Sequence, residues 1–326
     1  MKMEGIPVLS LAPMAGLTDW PLRVLCYRMG ADYACTEMVS AVGLLCAKPD
    51  NKVYQQLLHT HPQERNTACQ LFGKDPTVMG EAAQKLTELG RFTSLDINMG
   101  CPARKVVSLG EGSAMLLTPD KAFRVMEAVK THTSLPVTLK TRLGYDEGSM
   151  NALELGKAAQ SLHFQWICVH GRTREQQYSG LADHQAIARL REQLSLPVLS
   201  NGDLCTPEDV EKAFTFPGCP GVMIGRGALG NPWLFRTARQ KLEGRRVEEP
   251  SLEERIHTAL LHLEWMVDYK GQQQGLMEMR KHLGHYISGL RGATAVRRAL
   301  NTAKTQQQMR ELLLELLGSA RGQEEP

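Results

Sequence analysis

What this chain has little of narrows its class first. Aromatic residues make up only 6% of it, and the formal net charge is only +3, so bulk charge does not call for a nucleic-acid partner. No run approaches the roughly 18 apolar residues that a membrane-spanning helix needs. The eight cysteines (26, 35, 46, 69, 101, 168, 205 and 219) contain no C-x-x-C pair and no Cys/His cluster. That argues against a structural zinc site and against a secreted disulfide framework. A reduced, cytoplasmic chain without membrane contact is expected, with a monomer as the default state. "IPVLSLAPMAGL" is apolar enough to resemble a signal sequence, but Pro7, Pro13 and the downstream pattern read better as a buried strand.

What is present is a repeat of short apolar runs, each followed by an amphipathic stretch. The runs are "VLSLAPM" (8–14), "DYACTEM" (32–38), "ACQLFG" (68–73), "SLDINMG" (94–100), "VTLKTR" (137–142), "WICVHG" (166–171), "VLSNGD" (198–203) and "GVMIGR" (221–226). Between them lie helical patterns such as "TVMGEAAQKLTELG" and "PDKAFRVMEAVKTH". Near-continuous apolar strands alternating with helices predict a parallel sheet covered by helices. Eight such units in about 240 residues is the size of a closed (β/α)8 TIM barrel. A doubly wound nucleotide fold fits less well, because no G-x-G-x-x-G follows the first strand; "LGEGSAM" lacks the third glycine.

After residue 243 the character changes. "EGRRVEEPSLEER" is a charged connector, and segments 251–273, 275–290, 292–304 and 305–317 read as helices broken by Gly271, Gly275, Gly289 and Gly292. The expected division is a barrel over 1–243 and a small all-helical domain over 250–319, with the tail "GSARGQEEP" disordered.

In a barrel of this kind, chemistry collects at the carboxyl ends of the strands. Those ends carry Met14, Glu37, Gln70, Asn98, Lys140, His170, Asn201 with Asp203, and Gly225 with Arg226. Ordinary solvation of loop starts accounts for some of these but poorly for Lys140. Period-2 alternation puts Thr138, Lys140 and Arg142 on one face of their strand. If that face looks inward, an ammonium sits in the barrel mouth and needs an anionic partner. "SNGD" and "IGRGALGNP" add glycine-rich turns at the customary phosphate site of such barrels, where Arg226 supplies charge. Cys101 stands where the fourth strand stops, between Gly100 and Pro102; a lone cysteine is usually a small buried hydrophobe.

"LAPMAGLTDWPLRVLCYRMGADYACTEMVSA", "DINMGCPARKV", "GSAML", "VTLKTRLGYD", "VHGRTREQQYSG", "SNGD" and "VMIGRGALGNPWLF" closely resemble the tRNA-dihydrouridine synthases. "DINMGCP" with "APMAGLTD" is similar to the bacterial B-type subgroup, and "MRKHLGHYISGLRGA" resembles its helical domain. The resemblance implies an FMN enzyme that uses NADPH to saturate the 5,6 double bond of a uridine in tRNA, in the D-loop for this subgroup. By the same resemblance, Pro13, Met14 and Ala15 line the flavin, Gln70 hydrogen-bonds its ring and Lys140 lies beside it. His170, Asn201, Gly202, Asp203, Gly225 and Arg226 would hold its ring, ribityl chain and phosphate. Asn98 and Cys101 would face the uracil, with Arg104, Lys105 and Arg172 as RNA contacts. Cys101 then becomes the proton donor, since a thiol with a pKa near 8.5 is mostly protonated at neutral pH. The sequence departs from the family pattern at His184 and His285, where Trp is frequent, and at Ser288, where Lys is common.

From Met279 to Arg310 there are seven Lys or Arg residues and no acid. A solvated helix face usually mixes both signs, so a one-signed run suits a phosphate backbone. Arg280, Lys281, Arg297 and Arg298 are the expected tRNA clamp. Two other readings stay open at this point: a flavin barrel acting on a small metabolite, and a non-catalytic RNA-binding module. The basic appendage speaks against the first, and the set Cys101, Lys140 and His170 against the second.

Overall fold

The computed structural model describes residues 8–215 and 218–321. Eight strands, β1 (Val8–Leu11), β2 (Tyr33–Ser40), β3 (Thr67–Phe72), β4 (Ser94–Met99), β5 (Val137–Arg142), β6 (Trp166–His170), β7 (Val198–Asn201) and β8 (Gly221–Ile224), follow one another around a closed barrel. Each pairs in parallel with the next, and β8 closes on β1 with Val8 opposite Gly221 and Leu11 opposite Ile224. All eight expected strands are present, and the expected TIM barrel is the observed fold. A bulge in β2 between Cys35 and Met38 shifts its register against β3.

Strand parity divides the core into two layers. One face of each strand packs outward against helices: Leu95, Ile97, Leu139 and Val169 share a cluster with Met79, Leu86, Val125 and Leu155. The helix Pro76–Glu88 illustrates the covering layer. Asp75 caps it by accepting the Val78 N–H, a proline opens it, and Met79, Ala82, Ala83 and Leu86 form its buried stripe. The other strand face fills the barrel, where Tyr33, Cys35, Ala68, Trp166, Cys168, Leu199 and Met223 form a small inner cluster. The Tyr33 and Trp166 rings meet edge to face at 5.2 Å. On the same parity, register places Asp96 opposite Thr138, Asn98 opposite Lys140, Arg142 opposite His170 and His170 opposite Asn201. The inner face therefore changes from apolar to polar toward the carboxyl ends.

The chain divides into two compact units between Arg226 and Gly227, ahead of the boundary at 243 read from the sequence. The helix Leu234–Leu242 belongs to the second unit. The Trp233 indole N–H and the Arg236 guanidinium both donate to Glu254 of the next helix at 2.8 Å. The helices that follow are Leu252–Lys270, Gln272–Tyr286, Ala293–Thr302 and Gln306–Arg321. Gly275 does not break a helix, contrary to expectation. It lies inside Gln272–Tyr286, where an added Cβ would stand 2.7 Å from the Met266 carbonyl oxygen, so glycine is there to let two helices approach. The tail expected to be disordered, 318–326, is helical to Arg321; residues 322–326 lie outside the described residues.

Candidate active site

The mouth is organised around the turn that ends β4. Cys101 is half-buried there, and its flanking peptides are tied down on every side. The Asn98 side-chain oxygen accepts the N–H of Gly100 at 3.1 Å and of Cys101 at 2.9 Å. The Gly100 carbonyl accepts Arg142 Nε at 2.9 Å. The Cys101 carbonyl accepts the Ser113 N–H at 3.1 Å and its hydroxyl at 2.8 Å. Burial pushes the Cys101 thiol above its usual range, opposed by the backbone at Ala103 and by Arg142, so the protonated form dominates at neutral pH.

Behind the turn lies a buried polar row. The Asn98 amide nitrogen donates to the Gln70 side-chain oxygen at 2.8 Å, and the Gln70 amide nitrogen donates to Asp96 at 2.7 Å. Asp96 also accepts the Thr138 hydroxyl at 2.5 Å. Burial pushes the Asp96 carboxyl up to about 6, opposed by its bonds to Thr138 and Gln70 and by the Lys140 charge.

Lys140 donates from Nζ to the Asn201 side-chain oxygen at 2.9 Å, and the Asn201 amide nitrogen donates to the Met223 carbonyl at 2.5 Å. The direct partner of the ammonium is thus an amide oxygen, and Asp96 is the carboxylate that acts on it through space. Burial lowers the Lys140 pKa. His170 is 7% exposed, and its Nδ1 has no hydrogen-bond partner among the described residues. Burial first, then the charges of Lys140, Arg142, Arg172 and Arg226, drive its pKa down to about 2, so the ring is neutral.

The turn after β7 places Gly202 at φ 126° and Asp203 at φ 51°. A Cβ on Gly202 would stand 2.6 Å from that of Ala182, so no other residue fits without displacing the chain. A Cβ on Gly225 would meet only Ala12 and Met14, at 3.8 Å, so protein packing alone does not demand glycine there. Arg226 stacks on the exposed Tyr178 ring at 4.1 Å and approaches Asp203 at 3.5 Å. Pro13 and Met14 are half-buried just after β1, and Ala15 is exposed.

Arg104 and Lys105 open the exposed turn of helix that follows Cys101, where cations reach solvent. Arg172, expected as an RNA contact, is not at the surface. It is 1% exposed, bonds both Asp203 oxygens at 2.6 and 2.9 Å, and donates further to the Ser179 and Gly180 carbonyls. Its charge is consumed inside the fold. In the helical unit Lys281, Arg297 and Arg298 are exposed, whereas Arg280 is half-buried and donates to the Ala303 carbonyl at 3.1 Å. Arg280 thus ties two segments of that unit together and is not a free surface cation.

Two site residues escaped the sequence reading. Asp96 shares parity with Asn98 in "DINMG", which was the available signal. Period 2 puts Arg142 on the inner face beside Lys140 but says nothing of its partners. It is 4% exposed and bridges the β4 turn to the carbonyls of Thr173 and Gln177.

A closed eight-stranded barrel with a cationic, thiol-bearing carboxyl end defines a (β/α)8-barrel enzyme with its site at the mouth. The family model described as dihydrouridine synthase (Dus) matches residues 10–320. "tRNA-dihydrouridine synthase B" of Pasteurella multocida (strain Pm70) is 38% identical over 292 residues, 89% of this chain and 87% of its own. "Probable tRNA-dihydrouridine synthase" of Rhodobacter capsulatus is 41% identical over 281 residues, 86% of each chain. The chain belongs to the dihydrouridine synthase family and is a flavin-dependent oxidoreductase. Among solved structures, histamine dehydrogenase from Rhizobium sp. 4-9 aligns with a TM-score of 0.51 at 12% identity, over 79% of this chain and 48% of its own. The chain spans about half the length of that protein, and the likeness concerns the barrel fold alone.

Proposed function

We propose that this enzyme reduces a uridine in the D-loop of tRNA to 5,6-dihydrouridine, with FMN as its resident flavin and NADPH as the electron source. The observation that carries the proposal is the Cys101 thiol, held protonated by burial on a turn pinned at both peptides, beside a mouth lined by Lys140, His170 and Asn201. The residues fit a flavin. The Nδ1 of neutral His170, without a partner among the described residues, is available to a polar ring atom, and the Lys140 ammonium suits an electron-rich one. The space beside Gly225, next to the Arg226 charge, suits a phosphate.

When bound, the flavin supplies a hydride to carbon 6 of uracil. Carbon 5 then takes a proton: the Cys101 S–H bond breaks, a C–H bond forms, and the thiolate recovers its proton from water. Asn98 and Arg142 hold the turn while this happens, and His170 stays uncharged throughout. The helical unit, read as a tRNA-binding domain over 250–319, presents Lys281, Arg297 and Arg298 to the phosphate backbone.

The test is direct. The purified protein should be yellow, release about one FMN per chain on denaturation, and form dihydrouridine in unmodified tRNA when given NADPH. Mapping the reduced position decides the D-loop assignment. A colourless protein that fails to take up FMN ends the reading.

A further inference from the structure

We infer that Asp96 is a positioning residue: its carboxylate anchors a one-way row of side-chain amides, Gln70 then Asn98, that locks the turn carrying Cys101. The role in turnover rests on the reading of Cys101 as the proton donor; the anchoring itself does not.

The row can be followed atom by atom. An ionised carboxylate only accepts, and a backbone N–H only donates. Asp96 therefore takes the amide nitrogen of Gln70, at 2.7 Å. Gln70 then turns its oxygen to Asn98, which must offer its nitrogen, at 2.8 Å. That leaves the Asn98 oxygen for the N–H groups of Gly100 and Cys101, at 3.1 and 2.9 Å. With a pure acceptor at one end and pure donors at the other, one orientation of the two amides satisfies every member. Reversing either amide sets like groups face to face in a buried site, where an unmatched polar atom is costly.

Asp96 is suited to be the anchor because it cannot wander. It is fully buried on β4, and its second oxygen is taken by the Thr138 hydroxyl of β5 at 2.5 Å. The row thus ties three adjacent strands, β3, β4 and β5, to one turn. Gln70 is engaged at both ends of its amide and is 1% exposed. The Cys101 carbonyl is held separately by Ser113, a branch that shares no atom with the row. That branch supplies an internal control.

The experiment measures amide hydrogen exchange at Gly100 and Cys101 in the flavin-loaded enzyme, alongside kcat and KM for tRNA. Asp96→Leu, close in shape but without an acceptor, should speed both amides about tenfold, the loss expected of one hydrogen bond. It should lower kcat by a similar factor and leave KM within about twofold. Asp96→Asn, which can still accept from Gln70, should recover most of the protection. Gln70→Leu cuts the row one link on and serves if Asp96→Leu does not fold; it should give the same exchange rates. In exchange rate, combining Asp96→Leu with Gln70→Leu should add little to either, whereas combining Asp96→Leu with Ser113→Ala should multiply the two effects. Wild-type exchange at Gly100 and Cys101 in both Asp96→Leu and Gln70→Leu overturns the inference, as does full multiplication of those two changes. If the exchange pattern is as expected but the wild-type enzyme leaves tRNA unreduced, the tRNA reading fails while the anchoring by Asp96 stands.

Discussion

The side-chain oxygen of Asn98 accepts the backbone N–H of Cys101 at 2.9 Å, so the residue two places before the turn fixes the thiol's peptide. The bond places an acid where a strand ends, and burial keeps that acid protonated. Replacing Cys101 by Ala should therefore cut dihydrouridine formation by roughly 10²–10⁴-fold, the usual worth of a positioned proton donor. NADPH should still reduce the flavin, which stopped-flow absorbance would follow. Because burial raises the thiol's pKa, wild-type turnover should hold through neutral pH and fall only above the ordinary thiol range. Equal tRNA reduction by the alanine variant would identify some other group as the acid.

Much of this site was legible in the alternation of the strands. Period 2 gave the inner face of β5, and with it Thr138, Lys140 and Arg142. It did not give their partners, because register between strands is set by the closed sheet and is not written within any one strand. Asp96 meets Gln70 from a strand 26 residues earlier, a pairing that neither run displays. Arg172 differs for another reason: the resemblance makes it an RNA contact, yet Asp203, 31 residues on, folds back to neutralise it. Gly275 followed the same logic, since a breaker and a close-packing residue look alike until the neighbouring helix is in view.

Asp96 should carry a stability cost at neutral pH. Its pKa rises from 3.8 to about 6 on folding, so between those values the folded chain binds more protons than the unfolded one. Stability from this group is thus greatest below about pH 4, declines as pH rises to 6 and is then constant. Asp96→Asn, which cannot ionise, should be more stable than wild type at pH 7 by on the order of 1–3 kcal/mol. That gain should vanish near pH 4. Thermal melts at both values check the sign, and a variant less stable at pH 7 would contradict it.

Arg172 should matter for the fold and not for the grip on RNA. Its loss leaves Asp203 without its main counter-charge. Asp203 is only partly shielded, at 27% exposed, so the cost of breaking this pair falls to about 1–3 kcal/mol for Arg172→Ala. Denaturant titration should register that loss, and the salt dependence of tRNA binding should stay as in wild type. A flattened salt slope in a well-folded Arg172→Ala enzyme would return the residue to the interface.

The helical unit should weaken in acid. His262 and His282 are both buried, their rings 4.6 Å apart, and burial with the neighbouring imidazole drives the His262 pKa well below its ordinary value. Unfolding lets the imidazole take up a proton below about pH 6.5, so its contribution is complete above neutrality and lost as pH falls through that range. His170 acts in the same direction within the barrel, so the effect must be isolated by substitution. His262→Gln should reduce the drop in melting temperature between pH 7 and pH 5. An unchanged drop would place the acid sensitivity elsewhere.

The last prediction separates tRNA from a small substrate. Lys281, Arg297 and Arg298 are exposed in the helical unit, and Arg104 and Lys105 are exposed just after Cys101. If the first group grips phosphates, replacing all three by Gln should weaken binding to every tRNA alike. The slope of log affinity against log salt should flatten by up to about 0.9 for each phosphate no longer neutralised on a duplex, and about 0.7 on a single strand. Arg280 is left intact in this variant, because its bond to Ala303 makes it part of the fold. Arg297 also donates to the Gly284 carbonyl from Nε and Nη2, at 3.1 and 2.8 Å, so a small stability loss, about 0.5–1.5 kcal/mol for this exposed contact, should accompany the change. Flavin content and NADPH oxidation should not move, since none of the three residues lies in the barrel unit. Unaltered affinity and salt slope would make this stretch ordinary surface. The electrostatic contribution would then have to come from Arg104 and Lys105, and their replacement should flatten the slope instead.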